Sequence, residues 1–332
     1  IRGGRDAVYD LDGNEVTPAF AFDSTLFTSP SGQLLYDGAA AGLATTIHLG
    51  IDTASVKINN LIGPVPALNS PPDFYGQLIG GGDFSSVIFG NSANIEINNF
   101  AGIVNNSFSG AMGDTFTEGH WAIANYGAGN TILNMNSGQG SIYGDVLFVD
   151  RNPLLEAAQR LNPSLVLEYD ANNVGIRNSV INLGGDSPSN FGSIQGNIYL
   201  GAGEHVINTT ISGSINGNIY VDQKDAQITD AGGNVISTIA GAKKFTFNSN
   251  GTFDNELIVN DVAGSVNTLN FNLGGFNGQS GSSSNTPTNV VFNGLGLNTL
   301  NAHCNQRFDN AFATCSMGNA SGLTSINITG AR

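Results

Sequence analysis

The sequence is poor in cations, in cysteine and in long apolar runs. Lysine and arginine together number 11 in 332 residues, against 26 aspartates and glutamates, so the formal net charge is −15. Nucleic acids and anionic membrane surfaces are bound by clustered cations, and this balance argues against both as partners. No apolar run is long enough to form a transmembrane helix. The charge balance leaves proteins, glycans or a second copy of the chain as partners.

One octapeptide occurs twice in the sequence, with a single difference. Gly192–Tyr199 reads GSIQGNIY, and Gly213–Tyr220 reads GSINGNIY. The two copies are identical at seven of eight positions and lie 21 residues apart. A period near 20 is too short for a helix-pair repeat and is typical of one turn of a strand-built solenoid. The spacing of the repeated octapeptide therefore predicts a β-solenoid.

A third, weaker copy of the octapeptide, GSIYGDVL, begins at Gly140, 52 residues before Gly192. Two turns of 21 residues would leave a surplus of about ten residues in this interval, which indicates an insertion. The interval contains a helix signal in which Asn152 can cap, Pro153 fits the first position and Asn162 precedes a second proline. The apolar residues of this signal are Leu154, Leu155, Ala158 and Leu161. We expect a short amphipathic helical insert at about residues 151–170.

Short β-rich runs bounded by asparagine or glycine recur along the rest of the chain. Val56–Asn60 matches Ile95–Asn99 at an offset of 39, which fits two short turns. Alternation at period two sends apolar side chains inward, while asparagine and glycine suit tight corners. We therefore predict an all-β chain that forms a parallel β-helix over residues 41–332, with residues 1–40 as a cap or first turns.

Two cysteines, Cys304 and Cys315, flank a short loop-like spacer near the C-terminal end. A disulfide is favoured over free thiols or half of a metal site, since no partner ligands accompany the pair. The predicted disulfide loop, residues 304–315, indicates an oxidising setting outside the cytoplasm.

The predicted strands are bounded by asparagine or glycine, the octapeptide GSIxGNIY recurs, the surface is acidic and poor in lysine, and the two cysteines lie close together. In these features the sequence resembles passenger domains of Gram-negative autotransporters. The resemblance covers most of residues 40–332 and is one of composition and repeat pattern, because no diagnostic motif accompanies it. It implies a right-handed parallel β-helix, secreted or displayed on the cell surface after export through the outer membrane. It also implies an adhesin, an autoaggregation factor, a toxin or a carrier of an enzyme.

The densest chemical cluster is Glu118, His120 and Trp121, which includes the only tryptophan of the chain. An exposed aromatic ring beside hydrogen-bonding groups is typical of sugar recognition. The alternative is that Trp121 packs inward or fills a loop.

The repeat supplies a second set of binding candidates. Residues one turn apart stack, which predicts an amide ladder of Asn197 over Asn218 and an aromatic stack of Tyr199 over Tyr220. The tyrosines fall at the parity opposite to the inward isoleucines, so we expect them to face solvent. Such a stripe can bind a glycan or a second copy, or it can simply stabilise the strands.

We expect no cofactor and no metal. Asp10, Asp12 and Glu15 have the acidic spacing of a calcium loop but lack the EF-hand register, so a hairpin turn is predicted and calcium is the alternative.

The predicted function is a non-enzymatic adhesin or self-association module whose partner is a host cell-surface protein or glycan, or a second copy. A secreted effector that engages a receptor through the inserted loops is one alternative. A β-helical polysaccharide-degrading enzyme is the other, and it would draw on carboxylates such as Asp145, Asp150 and Asp222 from adjacent turns.

Overall fold

The computed structural model describes residues 2–3, 8–9, 15–17, 47–49, 55–61, 74–75, 77–80, 86–105, 120–169, 174–187, 189–273, 287–304 and 317–330. These residues form three parallel sheets, two antiparallel strand pairs and one helix. From residue 88 to residue 253 the chain visits the first, second and third sheets in turn, apart from one antiparallel pair, so each of these turns places one strand in each sheet. The described strands after residue 253 lie only in the first and second sheets. This is a parallel β-helix, and the predicted fold class is confirmed.

Strands are numbered in chain order. The first sheet contains β1 (Arg2–Gly3), β4 (Ile47–Leu49), β8 (Ile88–Asn91), β11 (Trp121–Tyr126), β14 (Asp145–Val149), β17 (Ile198–Leu200), β20 (Ile219–Asp222), β25 (Glu256–Asn260), β27 (Asn289–Phe292) and β29 (Asn319–Ser321).

The second sheet contains β6 (Phe74–Tyr75), β5 (Val56–Leu61), β9 (Ile95–Asn99), β12 (Gly129–Met135), β15 (Arg177–Leu183), β18 (Gly203–Thr209), β23 (Lys243–Ser249), β26 (Val266–Leu273), β28 (Leu297–Cys304) and β30 (Ser325–Thr329).

The third sheet contains β7 (Gln77–Gly80), β10 (Gly102–Asn105), β13 (Gln139–Tyr143), β16 (Phe191–Gln195), β19 (Gly213–Ile215) and β24 (Thr252–Phe253). The antiparallel pairs are β2 (Val8–Tyr9) with β3 (Glu15–Thr17), and β21 (Ala226–Thr229) with β22 (Val235–Ile239). The helix is α1 (Pro153–Leu161).

The core lies inside the coil, where apolar side chains from equivalent positions of successive turns stack in columns. Ile194, Ile198, Ile215 and Ile219 are all fully buried, as their even spacing predicts. Closer to the C-terminal end the core contains phenylalanine side chains, and Phe247 packs edge-on against Phe253 and Phe271. Such burial is the main source of stability, because each side chain removed from water contributes ~1.5–3 kcal/mol.

The pairing register confirms the repeat. Gly192, Ser193 and Ile194 lie beside Gly213, Ser214 and Ile215, and Tyr199 lies beside Tyr220. The third copy also stacks directly, with Gly140 beside Gly192. Its 52-residue offset is therefore one turn with a large insertion, and the expectation of two turns plus ten residues is wrong. The 39-residue offset is likewise one turn, because Val56 pairs with Ile95.

An amide ladder runs along the outer face of the second sheet. In each pair the side-chain Nδ2 of one asparagine donates to the Oδ1 of the asparagine one turn before it, over 2.7–3.0 Å. The ladder comprises Asn59, Asn98, Asn134, Asn182, Asn208, Asn248, Asn270, Asn301 and Asn327. It explains why asparagine recurs in these strands, since each amide can donate to one neighbour and accept from the other.

A buried arginine supports the corner before the second sheet. Arg177 is fully buried, and its two terminal nitrogens donate to the carbonyls of Ala93, Tyr126 and Ala128 and to Thr131 Oγ1. Burial lowers the pKa of Arg177 to about 9. These four bonds bind three successive turns together.

Two insertions leave the coil on one side and pack together. The first contains α1 and the segment to Ile176, and the second is the β21–β22 hairpin. Leu155, Leu165 and Ile239 pack around a small buried cluster of Leu167, Tyr169, Val174 and Ala226. We call the described residues of these two insertions, 151–169, 174–176 and 223–242, the appendage.

The start of the chain contributes to the first sheet. β1 pairs in parallel with β4, and β2 and β3 form an antiparallel pair. Asp10 and Asp12 lie outside the described residues, in the connection between β2 and β3, and of Glu15 only the strand backbone is described.

Candidate functional site

The site forms where the appendage meets the outer face of the first sheet. Tyr199 in β17 and Tyr220 in β20 are half-buried neighbours whose rings stack, with centroids 4.8 Å apart and planes 19° from parallel. The stack follows from the register, because equivalent residues of successive turns lie one strand spacing apart. As parity predicts, the tyrosines point out of the coil while Ile198 and Ile219 point in.

The asparagines beside the tyrosines have a structural role. Asn197 is buried, and its Oδ1 accepts from the backbone N–H of Asn218 over 3.0 Å. In the same way Asp145 Oδ1 accepts from Asn197 N over 2.6 Å, and Asn218 Oδ1 accepts from Glu256 N over 3.1 Å. At this corner the side-chain oxygens therefore satisfy backbone N–H groups of the following turn. Asn218 Nδ2 donates to Tyr220 Oη over 3.0 Å and so orients the ring.

Trp121 is not a surface ring. It is fully buried on the outer face of the first sheet, in a cluster with Phe89, Leu147 and Leu154, which α1 covers. Trp121 is therefore buried beneath α1 and not inside the coil, and it offers no exposed ring to a sugar. His120 is half-buried and does not line the groove described below, and Glu118 lies outside the described residues.

A groove with a cavity volume of about 220 Å³ lies between α1 and the tyrosine stack. Both tyrosines contribute to it, together with the exposed carboxylate of Asp222. The remaining lining residues are Val149, Asp150, Arg151, Glu156, Arg160, Leu200, Gly201, Val221, Lys224 and Asn260. Aromatic edges thus meet three acidic and three basic side chains in one concave surface, which suits a polar ligand with several hydrogen-bonding groups.

A network of charged groups holds one wall of the groove. Arg151 Nε lies 3.4 Å from Asp150 Oδ2, and one of its terminal nitrogens lies 3.6 Å from Glu156 Oε1. Its guanidinium also sits over the ring of Tyr169, 5.5 Å from the centroid, and the Tyr169 hydroxyl donates to Glu156. Burial and the neighbouring Glu156 carboxylate raise the pKa of Tyr169, so its hydroxyl remains a donor. The network fixes Arg151 beside Asp150.

Asp150 is the most perturbed acid of the groove. Burial raises its pKa to about 6, which the charge of Arg151 opposes and the carboxylates of Asp222 and Glu156 reinforce. Gly201 permits this position, because a Cβ there would collide with Asp150 Oδ1. A carboxyl with this pKa can act as a proton donor near neutral pH.

The structure brings together only part of the predicted acid set. Asp150 and Asp222 both line the groove, whereas Asp145 lies at a corner of the coil and is committed to Asn197. Arg151, Glu156, Arg160 and Lys224 were not predicted as site residues. The sequence places Arg151, Glu156 and Arg160 beside or within the predicted helix. A helix pattern does not show which surface the helix packs against.

The other predicted site features lie away from the groove. Cys304 is disulfide-bonded, and Cys315, the only other cysteine of the sequence, lies outside the described residues. Among the described residues, no group of three or more His, Cys, Asp or Glu side chains could hold a metal ion. In that same part of the chain no helix is both long and apolar enough to cross a membrane.

The sequence matches no protein-family model, no curated protein and no solved structure.

Proposed function

We propose that this protein is a secreted or surface-displayed, autotransporter-like passenger that acts as an adhesin and binds a glycan in the groove between α1 and the tyrosine stack. The groove carries the proposal, because aromatic edges and both signs of charge converge there on a cavity of about 220 Å³. Sugars present an apolar body and many hydroxyls, which aromatic, carboxylate and guanidinium groups recognise together.

The extracellular setting is supported by three further features. The parallel β-helix is the fold that the resemblance implies. The disulfide formed by Cys304 fits an oxidising compartment. The net charge of −15 in a chain with few cations fits a soluble exposed surface.

A glycan-cleaving enzyme is the second candidate, and the raised pKa of Asp150 favours it. In that mechanism protonated Asp150 would donate its proton to the leaving oxygen as the glycosidic bond breaks. From the same groove, Asp222 would either take a proton from the water that attacks the anomeric carbon or attack that carbon itself, giving an intermediate that water then hydrolyses.

The test is size-exclusion chromatography of defined polysaccharides after incubation with the protein. Chains that co-elute intact support the adhesin, and Tyr220→Ala should then weaken binding at least about tenfold because it removes half of the stack. Tyr143→Ala is the matched control, since Tyr143 is an exposed tyrosine of the third sheet, away from the groove.

Shortened chains would instead establish the enzyme, and Asp150→Asn should then abolish the cleavage. Intact chains that never co-elute, or binding that Tyr220→Ala leaves unchanged, would overturn the proposed glycan site.

A further inference from the structure

The β21–β22 hairpin of the appendage exposes apolar side chains at its tip and along one strand. Val235 is 51% exposed and Ile236 is 65% exposed, and both belong to β22. Val166, which is 54% exposed, lies beside the hairpin turn, where a Cβ at Gly233 would be 2.8 Å from its Cγ1. Asp230 Oδ1 accepts from the backbone N–H of Gly232 and Asn234, so the turn is well formed.

The two long edges of this hairpin differ. The outer edge of β21 is covered at Thr229, because Thr229 N donates to the Tyr169 carbonyl and Tyr169 N donates to Thr229 Oγ1. β22 pairs only with β21 among the described residues, in a sheet of two strands. Its second edge is therefore a row of backbone donors and acceptors that another strand can pair with.

The same strand lacks the usual protection of an edge. Residues 231–242 contain no charged residue and no proline, although the chain has a net charge of −15. Edge strands that avoid association usually carry a lysine or a proline. Two copies of an acidic protein repel each other over most of their surface, and this neutral stretch is a place where they can approach.

We propose that β22 is a self-association edge, which pairs antiparallel with β22 of a second copy. Pairing over the whole five-residue strand is centred on Ser237 and gives a two-fold, self-complementary contact. It converts two marginal hairpins into one four-stranded antiparallel sheet and covers Val235 and Ile236. This surface goes beyond the proposed glycan site, and either can fail without the other, because no residue of β22 lines the groove.

Sedimentation equilibrium over a wide range of protein concentration tests the proposal. We expect a monomer–dimer equilibrium that Ile236→Lys weakens at least about a hundredfold, because two-fold symmetry counts the change twice. Leu295→Lys is the matched control, since Leu295 is 83% exposed and lies outside the appendage. A protein that stays monomeric at every concentration, or a dimer that Ile236→Lys leaves intact, would overturn the proposal.

Cross-linking tests the geometry independently of affinity. Residues opposite each other in an antiparallel pair have Cα atoms ~4.5–5.5 Å apart, which a disulfide can span. Ser237→Cys should therefore form an intermolecular disulfide on mild oxidation, and Gln227→Cys in the inner strand β21 should not. Equal cross-linking of the two variants would show that the copies do not meet along β22.

Discussion

At the residue scale, burial decides the chemistry of single side chains. Half-buried Asp150 and fully buried His205 show this in opposite directions: Asp150 has its pKa raised to about 6, and His205 has its pKa lowered to about 4. Both shifts arise from desolvation, which disfavours the charged form of either group. Ser179 Oγ and the Gly201 carbonyl lie within hydrogen-bonding distance of the His205 ring nitrogens, so the neutral imidazole is satisfied in the core.

The raised pKa of Asp150 makes a prediction about stability and pH. Between a pH of about 4 and about 6, folded Asp150 keeps a proton that the unfolded chain releases, so its contribution to the free energy of unfolding falls as the pH rises. Asp150→Asn should therefore be more stable than the natural protein at pH 7, by up to ~3 kcal/mol, and nearly equal to it at pH 4. Urea unfolding at the two pH values measures the difference.

His205 contributes the opposite slope over much of this range, so only the difference between variant and natural protein isolates Asp150. Asp186→Asn is the matched control, because Asp186 is exposed. A stability gain for Asp150→Asn that is the same at both pH values would contradict the assignment of the raised pKa.

At the element scale, α1 is defined by its own sequence but placed by the sheet beneath it. Asn152 Oδ1 accepts from Leu154 N over 3.0 Å, and Pro153 takes the first position, as predicted. A helix of nine residues is marginal alone in water, so its stability comes from docking. Ala157 and Ala158 are fully buried against the cluster that holds Trp121.

Ala158→Asp should release α1 from the sheet, because an unpaired buried carboxylate costs several kcal/mol. Trp121, the only tryptophan, would then become hydrated, and its fluorescence emission should shift to the red. The far-ultraviolet strand signal should remain, since the core of the coil is a separate cluster. Arg160→Ala, at an exposed position of the same helix, should leave the emission unchanged. An unshifted emission in Ala158→Asp would show that the helix does not depend on this contact.

At the scale of the whole molecule, the protein is a stack in which each turn contacts its neighbours. The ten strands of the first sheet span about 45 Å at ~4.8 Å per strand. Burial of the inward-facing side chains is lost at the last described turn of the stack. The inward column that contains Leu300 ends at Ile326, which is 55% exposed, and every residue of β30 is exposed. Stability in such an array is approximately a sum of turns and of contacts between turns.

The same substitution should therefore have different effects at the centre and at the end of the stack. Ile198→Asp removes a fully buried side chain, whose truncation alone typically costs ~2–5 kcal/mol, and adds a buried charge, so we expect the coil to unfold. Ile326→Asp should lower the free energy of unfolding by less than about 1 kcal/mol. Thermal unfolding followed by circular dichroism distinguishes them, and equal stability of the two variants would mean that the assigned inward face is wrong.

The sequence by itself determined the repeat, the parity of its strands and the local helix signal. Period-two alternation places Ile198 inside and Tyr199 outside without reference to any distant residue, and the cap at Asn152 is encoded within three positions. These features are local, so pattern reading reaches them. The length of each turn is not local, because an insertion can lie anywhere in a turn, and the 52-residue turn was therefore misread as two.

Only the tertiary structure decided which side chains share the site. Asp150 and Asp222 are 72 positions apart and meet because intervening turns stack β14, β17 and β20 side by side. The sequence left open whether Trp121 is exposed or buried, and it is buried because α1 folds back over it from the next part of the chain. The nine-residue asparagine ladder likewise needs the register of every turn at once. Packing between distant turns is a property of the whole coil, and no local pattern contains it.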